Sequence, residues 1–360
     1  MEFFLNKKLT ESAAESVKKE RENLTENSRP EEIEKADKTT QKIFDIQKEK
    51  QKIIDETSEK MHKIRRGEYT PNKESGQTSF AKFNEEKGAF TIEKEGKEPQ
   101  TATLGDLITD AFWGKEYELN ESTPLEIKEK YYQKVTSIKT SNLFDEQLVL
   151  NKLSNDWLGN GKRMAYGAIQ EMNEQKMEHS AGLVFEKILK SILTQLQYDI
   201  PDWDIKIEKA DVVKDVEYKI DFIIKVANRK RGAKIEEKNG IDNPLTLGIQ
   251  FTLISPSDEK YKDKVWQTEK AKQHLREMKI DDLILISLPT DNREIINKYK
   301  TWKELGKPVG GPERLYDTNT KIAILKTVLE KMGLDEVLKD QEEKLKDYYN
   351  SKLAPAAENK

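Results

Sequence analysis

The sequence predicts an α/β fold, a mixed sheet with helices on both faces, carrying a helical N-terminal hairpin and a helical C-terminal region. Three observations lead there. Short apolar runs at 203–207, 218–226, 245–254 and 282–288 have strand length and are bounded by polar turns or proline. An amphipathic helix at 183–193 precedes them, and a charged helix over about 260–279 separates the last two. Charge is also unevenly spread: 36% of the 360 residues are charged and 35% hydrophobic, but 31 of the first 66 side chains carry charge. An ordinary globular domain is about 25% charged, so the composition points to one real core with solvated helices attached. Three successive short strands suggest an antiparallel meander, and the strand–helix–strand step that follows suggests a parallel neighbour through a crossover.

The elements follow in order. Residues 1–66 contain no glycine and a single proline, Pro30. Ser28 with Glu31 three residues on forms a capping box, and it separates a helix over about 8–25 from a longer one over about 31–65. A solvated helical hairpin fits better than a coiled coil, because Gln47, Lys50 and Thr57 interrupt the apolar heptads. A homo-oligomer through these helices is the open alternative. Residues 67–80 are turn-rich and read as a linker. Residues 81–118 form a small ββα element: a strand at 88–93, a turn at 95–99, a returning strand at 101–104 and a helix from Asp106 closed by Gly114. Such a piece is too small for its own core, and Trp113 is its expected packing contact. Residues 119–150 read as a helical connector with helices at 126–135 and 144–153, and the main α/β domain occupies 151–305. Gly159–Arg163 and Val309–Pro312 are turns. Residues 306–360 are helical with a disordered tail.

Composition excludes several chemistries. The chain has no cysteine, which rules out thiolate zinc sites and disulfide frameworks, and its three scattered histidines argue against a His-rich metal site or a His-dependent triad. With no apolar run of 18 residues and no signal-peptide order at Met1–Lys8, a soluble cytoplasmic protein without a membrane partner is expected. Chemistry would fall to carboxylates, amides and lysines.

The strands show where such groups gather. Over 217–226, Tyr218, Ile220, Phe222, Ile224 and Val226 share one face, leaving Glu217, Lys219, Asp221, Ile223 and Lys225 on the other. Over 245–254 the apolar face is Leu245, Leu247, Ile249, Phe251 and Leu253, opposite Thr246, Gly248, Gln250 and Thr252. Neighbouring strands would set Asp221 beside Gln250, within reach of Glu186 on the preceding helix. That all-oxygen set suits Mg²⁺ or Mn²⁺, and such an ion supports phosphodiester cleavage without histidine or cysteine.

These residues, in this element order, bring in a family. The stretch 182–288, with Gly182–Glu186, Ile220-Asp221 and Gly248–Thr252, resembles the PD-(D/E)XK nuclease superfamily, the restriction-endonuclease-like fold. The resemblance implies a metal-dependent nuclease acting on DNA or RNA, with Glu186 and Asp221 as metal ligands and Gln250 completing the set. No proline precedes Asp221, and Thr252 stands where the superfamily has a catalytic lysine. A relocated lysine is then required. Lys219 is the first substitute, followed by Lys190 and Lys225; without one, the fold is a catalytically inactive module that binds nucleic acid or protein. The densest basic patch of the sheet region, Arg229, Lys230, Arg231 and Lys234, is the candidate nucleic-acid contact.

Overall fold

The computed structural model of the chain describes residues 30–71, 79–94, 97–155, 157–174, 180–200, 205–226, 245–288, 290–334 and 342–350. The expected helix at 8–25, the basic stretch Arg229–Lys234 and the tail beyond 350 lie outside the described residues. In chain order the elements are α1 (Pro30–Arg65), β1 (Ser79–Asn84), β2 (Ala89–Lys94), β3 (Lys97–Ala102), α2 (Leu104–Phe112), β4 (Tyr117–Leu119), α3 (Leu125–Ser154) and α4 (Asn160–Glu174). Then come α5 (Ala181–Asp199), β5 (Ile205–Lys209), α6 (Val212–Tyr218), β6 (Phe222–Val226), β7 (Leu245–Thr252), α7 (Glu259–Lys272), α8 (Leu275–Met278) and β8 (Asp282–Ser287). α9 (Asn292–Glu304), a 3-10 turn (Pro312–Leu315), α10 (Thr318–Lys331) and α11 (342–350) follow.

The chain forms two compact units, Met1–Glu56 with Lys139–Glu171, and Thr57–Ile138 with Met172–Lys360. In the first, Ile43 and Ile46 of α1 are buried with Leu150 of α3, and Leu143 packs against them. The Lys50 ammonium lies over the Phe144 ring at 5.1 Å. α3 is one continuous helix rather than two, since nothing between Leu125 and Ser154 is glycine or proline to break it. Arg163 of α4 donates to the carbonyls of Leu153 and Asn155, which satisfies free acceptors at the end of α3.

The second unit is α/β, with two four-stranded mixed sheets. The first has the order β3-β2-β1-β4, antiparallel except for the parallel β1–β4 pair. Its β1 and β4 are absent from the sequence expectation because Ser79–Asn84 follows a turn-rich stretch and Tyr117–Leu119 is three residues long. The second sheet has the order β5-β6-β7-β8, two antiparallel pairings and then a parallel one, the meander and crossover that the sequence predicts. Phe222, Ile224 and Val226 of β6 and Leu245, Leu247 and Ile249 of β7 share one core with α5, α9 and α10. On the opposite face Ile220, Ile223 and Leu283 pack with Ala271 of α7. One expectation fails in detail: the strand read from 217 starts only at Phe222. Asp211 caps α6 by accepting from the Val213 and Lys214 N–H groups, and Val212 and Val216, four residues apart, are buried on its inner side. Lys219 terminates α6 in the left-handed conformation, φ 59°, so it shares no strand face with Asp221.

The two sheets meet through α2 and α5. At Gly105 an added Cβ would lie 2.8 Å from the Gln195 Cα and 2.7 Å from an Asp199 carboxylate oxygen, so only glycine permits this approach. The crossing is sewn with polar groups. Asp199 accepts from Gly105 N–H at 2.8 Å, from Thr103 Oγ1 at 2.5 Å and from the Tyr348 hydroxyl. Thr103 and Asp106 cap α2 reciprocally. Gln195 Nε2 faces three acceptors, Asp106 Oδ1 at 3.1 Å, Gly310 O at 3.1 Å and Glu313 Oε1 at 3.0 Å. Asp110 accepts from Gly310 N–H at 2.9 Å, from Lys115 at 3.1 Å and from the Tyr117 hydroxyl. The turn read at Val309–Pro312 is thus buried in this junction, with Gly310 and Gly311 at φ 94° and 79°. Trp113 fills the expected packing role, beside the Trp302 and Tyr299 rings at 5.4 and 5.7 Å.

Two consequences can be measured. Gly105→Ala is expected to cost about 1–3 kcal/mol by overpacking, read in urea unfolding. Gly167→Ala, in α4 with open space around the new methyl, is expected to gain about 0.5–1 kcal/mol. Glu313 is fully buried, its Oε2 has no partner, and burial, opposed by Lys321 and reinforced by Asp106 and Asp110, holds its carboxyl well above the ordinary range. The folded state therefore binds a proton that the unfolded state releases, so stability falls as pH rises above about 4.3, the usual Glu value. Glu313→Gln is expected to flatten that loss in thermal melts between pH 4 and 8.

Candidate active site

Two buried acids lie beside the second sheet, near enough for the charge of Glu186 to act on Asp221. Val184, Phe185, Ile188, Leu189 and Ile192 bury one side of α5 in the core, which fixes its rotation and sets Glu186 and Lys190, one turn apart, on a common flank. Asp221 precedes β6 and is held by β7 through two bonds. Its N–H donates to Ile249 O at 2.8 Å, and its Oδ2 accepts from Phe251 N–H at 2.5 Å. The sheet ladder thus positions a carboxylate that sequence alone could place only on a strand face.

The Glu186 charge acts on Asp221, and the Asp215 charge acts on both. Burial, then the Glu186 charge, hold the Asp221 carboxyl well above the carboxylate range; the Phe251 N–H opposes, Asp215 adds and Lys264 opposes. Burial and the Asp215 charge push Glu186 up to about 7, opposed by Lys190, Lys209 and Lys187. Like charges in a poorly solvated place resist ionising together, so the pair retains a proton where ordinary carboxylates have lost theirs. The lysines are themselves constrained. Lys187 is pushed down by burial and by Lys209, and its ammonium lies over the Trp113 ring at 5.3 Å. Lys190 is buried and lies over the Phe112 ring at 5.2 Å.

The other expected residues are placed differently. The β6–β7 register, Phe222 opposite Ile249, makes Gln250 the next position opposite Asp221. Gln250 is buried, however, and its Oε1 accepts from Thr268 Oγ1 of α7 at 2.7 Å. Thr252 is buried, with its hydroxyl accepting from Ile254 N–H at 3.1 Å. Lys225 pairs with Glu208 at 2.7 Å, and Lys219 ends α6. Asp215, Lys209 and Lys264 were not singled out in the sequence. Asp215 and Lys209 lie outside the apolar runs, and Lys264 sits in a helix so rich in charge that no single lysine stands out. The signal for Lys264 was its place one turn before Thr268 on the side facing the sheet.

A cleft of about 710 Å³ opens next to the pair, lined by Gly182, Phe251, Thr252 and Arg293 among others. Gly182 is one turn before Glu186 on the same flank of α5, and Phe251 carries the N–H that holds Asp221. The cleft is thus lined by neighbours of both acids. Among the described residues no three His, Cys, Asp or Glu side chains are grouped to hold a metal ion, and no helix is long and apolar enough to cross a membrane. Comparison with family models, curated proteins and solved structures finds no match.

The charge coupling has a measurable sign. Glu186 is raised in the folded state, so it costs stability as pH climbs from about 4.3 through its folded value of about 7. Glu186→Gln is expected to melt with the native chain near pH 4 and above it at pH 8. Asp215→Asn is expected to bring the Glu186 titration down, read by carboxyl carbon NMR.

Proposed function

We propose that the chain is a divalent-metal-dependent nuclease with a restriction-endonuclease-like core of the PD-(D/E)XK kind, cleaving phosphodiester bonds in DNA or RNA. The observation that supports the reading is a pair of buried acids, with the Glu186 charge raising Asp221 and the Asp215 charge raising both, beside the elements that line a cleft. Two carboxylates that resist ionising together are relieved by a dication, and Mg²⁺ or Mn²⁺ needs one or two protein carboxylates with water filling the remaining positions. The donor set fits such an ion, held by Glu186 and Asp221. When bound, it supplies a more acidic water and a counter-charge for the phosphate.

The chain's own residues have separable roles in this reading. The Phe251 N–H and the Ile249 carbonyl fix Asp221, and the core side of α5 fixes Glu186. Gln250 is a positioning residue that braces β7 against α7 through Thr268. The cation missing at Thr252 is supplied by Lys264, whose charge acts on Asp221, or by Lys190, whose charge acts on Glu186. A second reading, a nuclease-like fold that binds nucleic acid or protein without cleaving it, is favoured by Thr252 in the lysine position and by the engagement of Gln250 with Thr268.

The test incubates the chain with end-labelled single- and double-stranded DNA and RNA plus Mg²⁺ or Mn²⁺. Cleavage is expected, and Asp221→Ala is expected to lower it by about 100-fold or more, the scale of losing roughly 3 kcal/mol of charge stabilisation. Lys264→Ala is expected to lose activity on the scale of one transition-state donor, about 100-fold. Association without turnover gives the second reading, and equal cleavage by Asp221→Ala sinks the first.

A further inference from the structure

We propose that α9 forms a phosphate-binding wall, with Arg293 gripping the backbone of a nucleic-acid strand next to the acid pair. This deepens the nuclease reading and rests on it for the identity of the ligand. One side of the cleft is the start of α5 and the end of β7, the two elements that carry Glu186 and hold Asp221. The other side is the first half of α9, with Asn292, Arg293 and Asn297. A second depression of about 720 Å³ lies on the other flank of the same helix, lined by Glu294, Lys298 and Thr301 among others, and Arg293 and Asn297 border both.

The chemistry of the wall matches phosphate. Arg293 is exposed, and among the described residues its guanidinium has no ion-pair partner. Its backbone is fixed, because its N–H donates to Asp291 Oδ1 at 2.8 Å in the cap of α9. The guanidinium fork fits two phosphate oxygens at once. The Asn292 and Asn297 amides beside it donate without reading sequence. The other charges on this wall are committed. Asp291 caps the helix, and Lys298 donates to Leu315 O at 2.9 Å and stands 3.5 Å from Glu294. Arg293 is therefore the cation left to meet a ligand. The residues of this wall are other than Arg229, Lys230, Arg231 and Lys234, which the sequence offered for the same purpose.

The experiment measures association of the full chain with labelled duplex DNA, single-stranded DNA and single-stranded RNA by fluorescence anisotropy, without divalent metal, from 50 to about 200 mM salt. Loss of one phosphate contact in Arg293→Ala is expected to make the slope of log K against log[salt] shallower by about 0.9 on duplex and about 0.7 on single strands. The weakening should be uniform across sequences, and Arg293→Lys should restore the slope by keeping the charge. Asn297→Asp, which puts a negative charge on the shared lining, is expected to weaken binding further, with an unchanged melting temperature as the folding check. An unchanged slope in Arg293→Ala overturns the wall even if the chain cleaves. A changed slope with no cleavage under Mg²⁺ or Mn²⁺ overturns the nuclease and leaves the wall standing. No association with any of the three nucleic acids overturns the wall as well.

Discussion

The second unit depends on the crossing of α2 over α5, where the absence of a side chain at Gly105 lets the two helices approach. Everything polar in the junction follows from that approach. Helices this close bring the capped start of α2, the carboxylate of Asp199 and the amide of Gln195 into one small, dry volume. A buried polar group without a partner costs roughly 1–3 kcal/mol, so the turn at Gly310 and the 3-10 segment after it are drawn in to supply donors and acceptors. The first sheet is thereby attached to the second. α5, shared by both, is held in the rotation that presents Glu186.

Among the described residues two gatherings of buried acid stand out, and they differ in what surrounds them. Around Asp106, Asp110 and Asp199 the oxygens are met by hydroxyls, backbone N–H groups, an amide and Lys115. That is a structural network, with Glu313 its least satisfied member. Around Glu186 and Asp221 a single backbone bond holds one carboxylate, lysines act from several elements and a cleft opens alongside. Burial raises acids in both places. What separates them is the number of hydrogen bonds that meet the acid oxygens, many in the junction and few beside the second sheet.

Much of the second sheet was legible in its sequence because strand faces have a period of two. Leu245, Leu247 and Ile249 lie on the core side and Gln250 and Thr252 on the other, as alternation requires. The same rule failed at 217–221, where Tyr218, Ile220 and Phe222 alternate but the Asp211 cap and the Val212–Val216 pair favour a helical turn. Local capping outweighed the pattern there and removed Lys219 from the strand. The expected helix break in α3 and the overlooked β1 and β4 have a similar origin. Short or polar segments carry weak local signals, and their state is decided by what they pair with.

The sequence by itself determined the α/β class, the meander followed by a parallel strand, the core face of β7, and Glu186 and Asp221 as acids worth examining. Each of these is written in local periodicity and in element order. Only the tertiary structure decided that Glu186 and Asp221 share an electrostatic environment with Asp215, that Gln250 bonds to Thr268, that the Lys264 charge acts on Asp221 and that Arg293 lines the cleft. These facts depend on contacts between residues up to about a hundred positions apart. Charge coupling falls with distance in space, which neither spacing along the chain nor composition encodes.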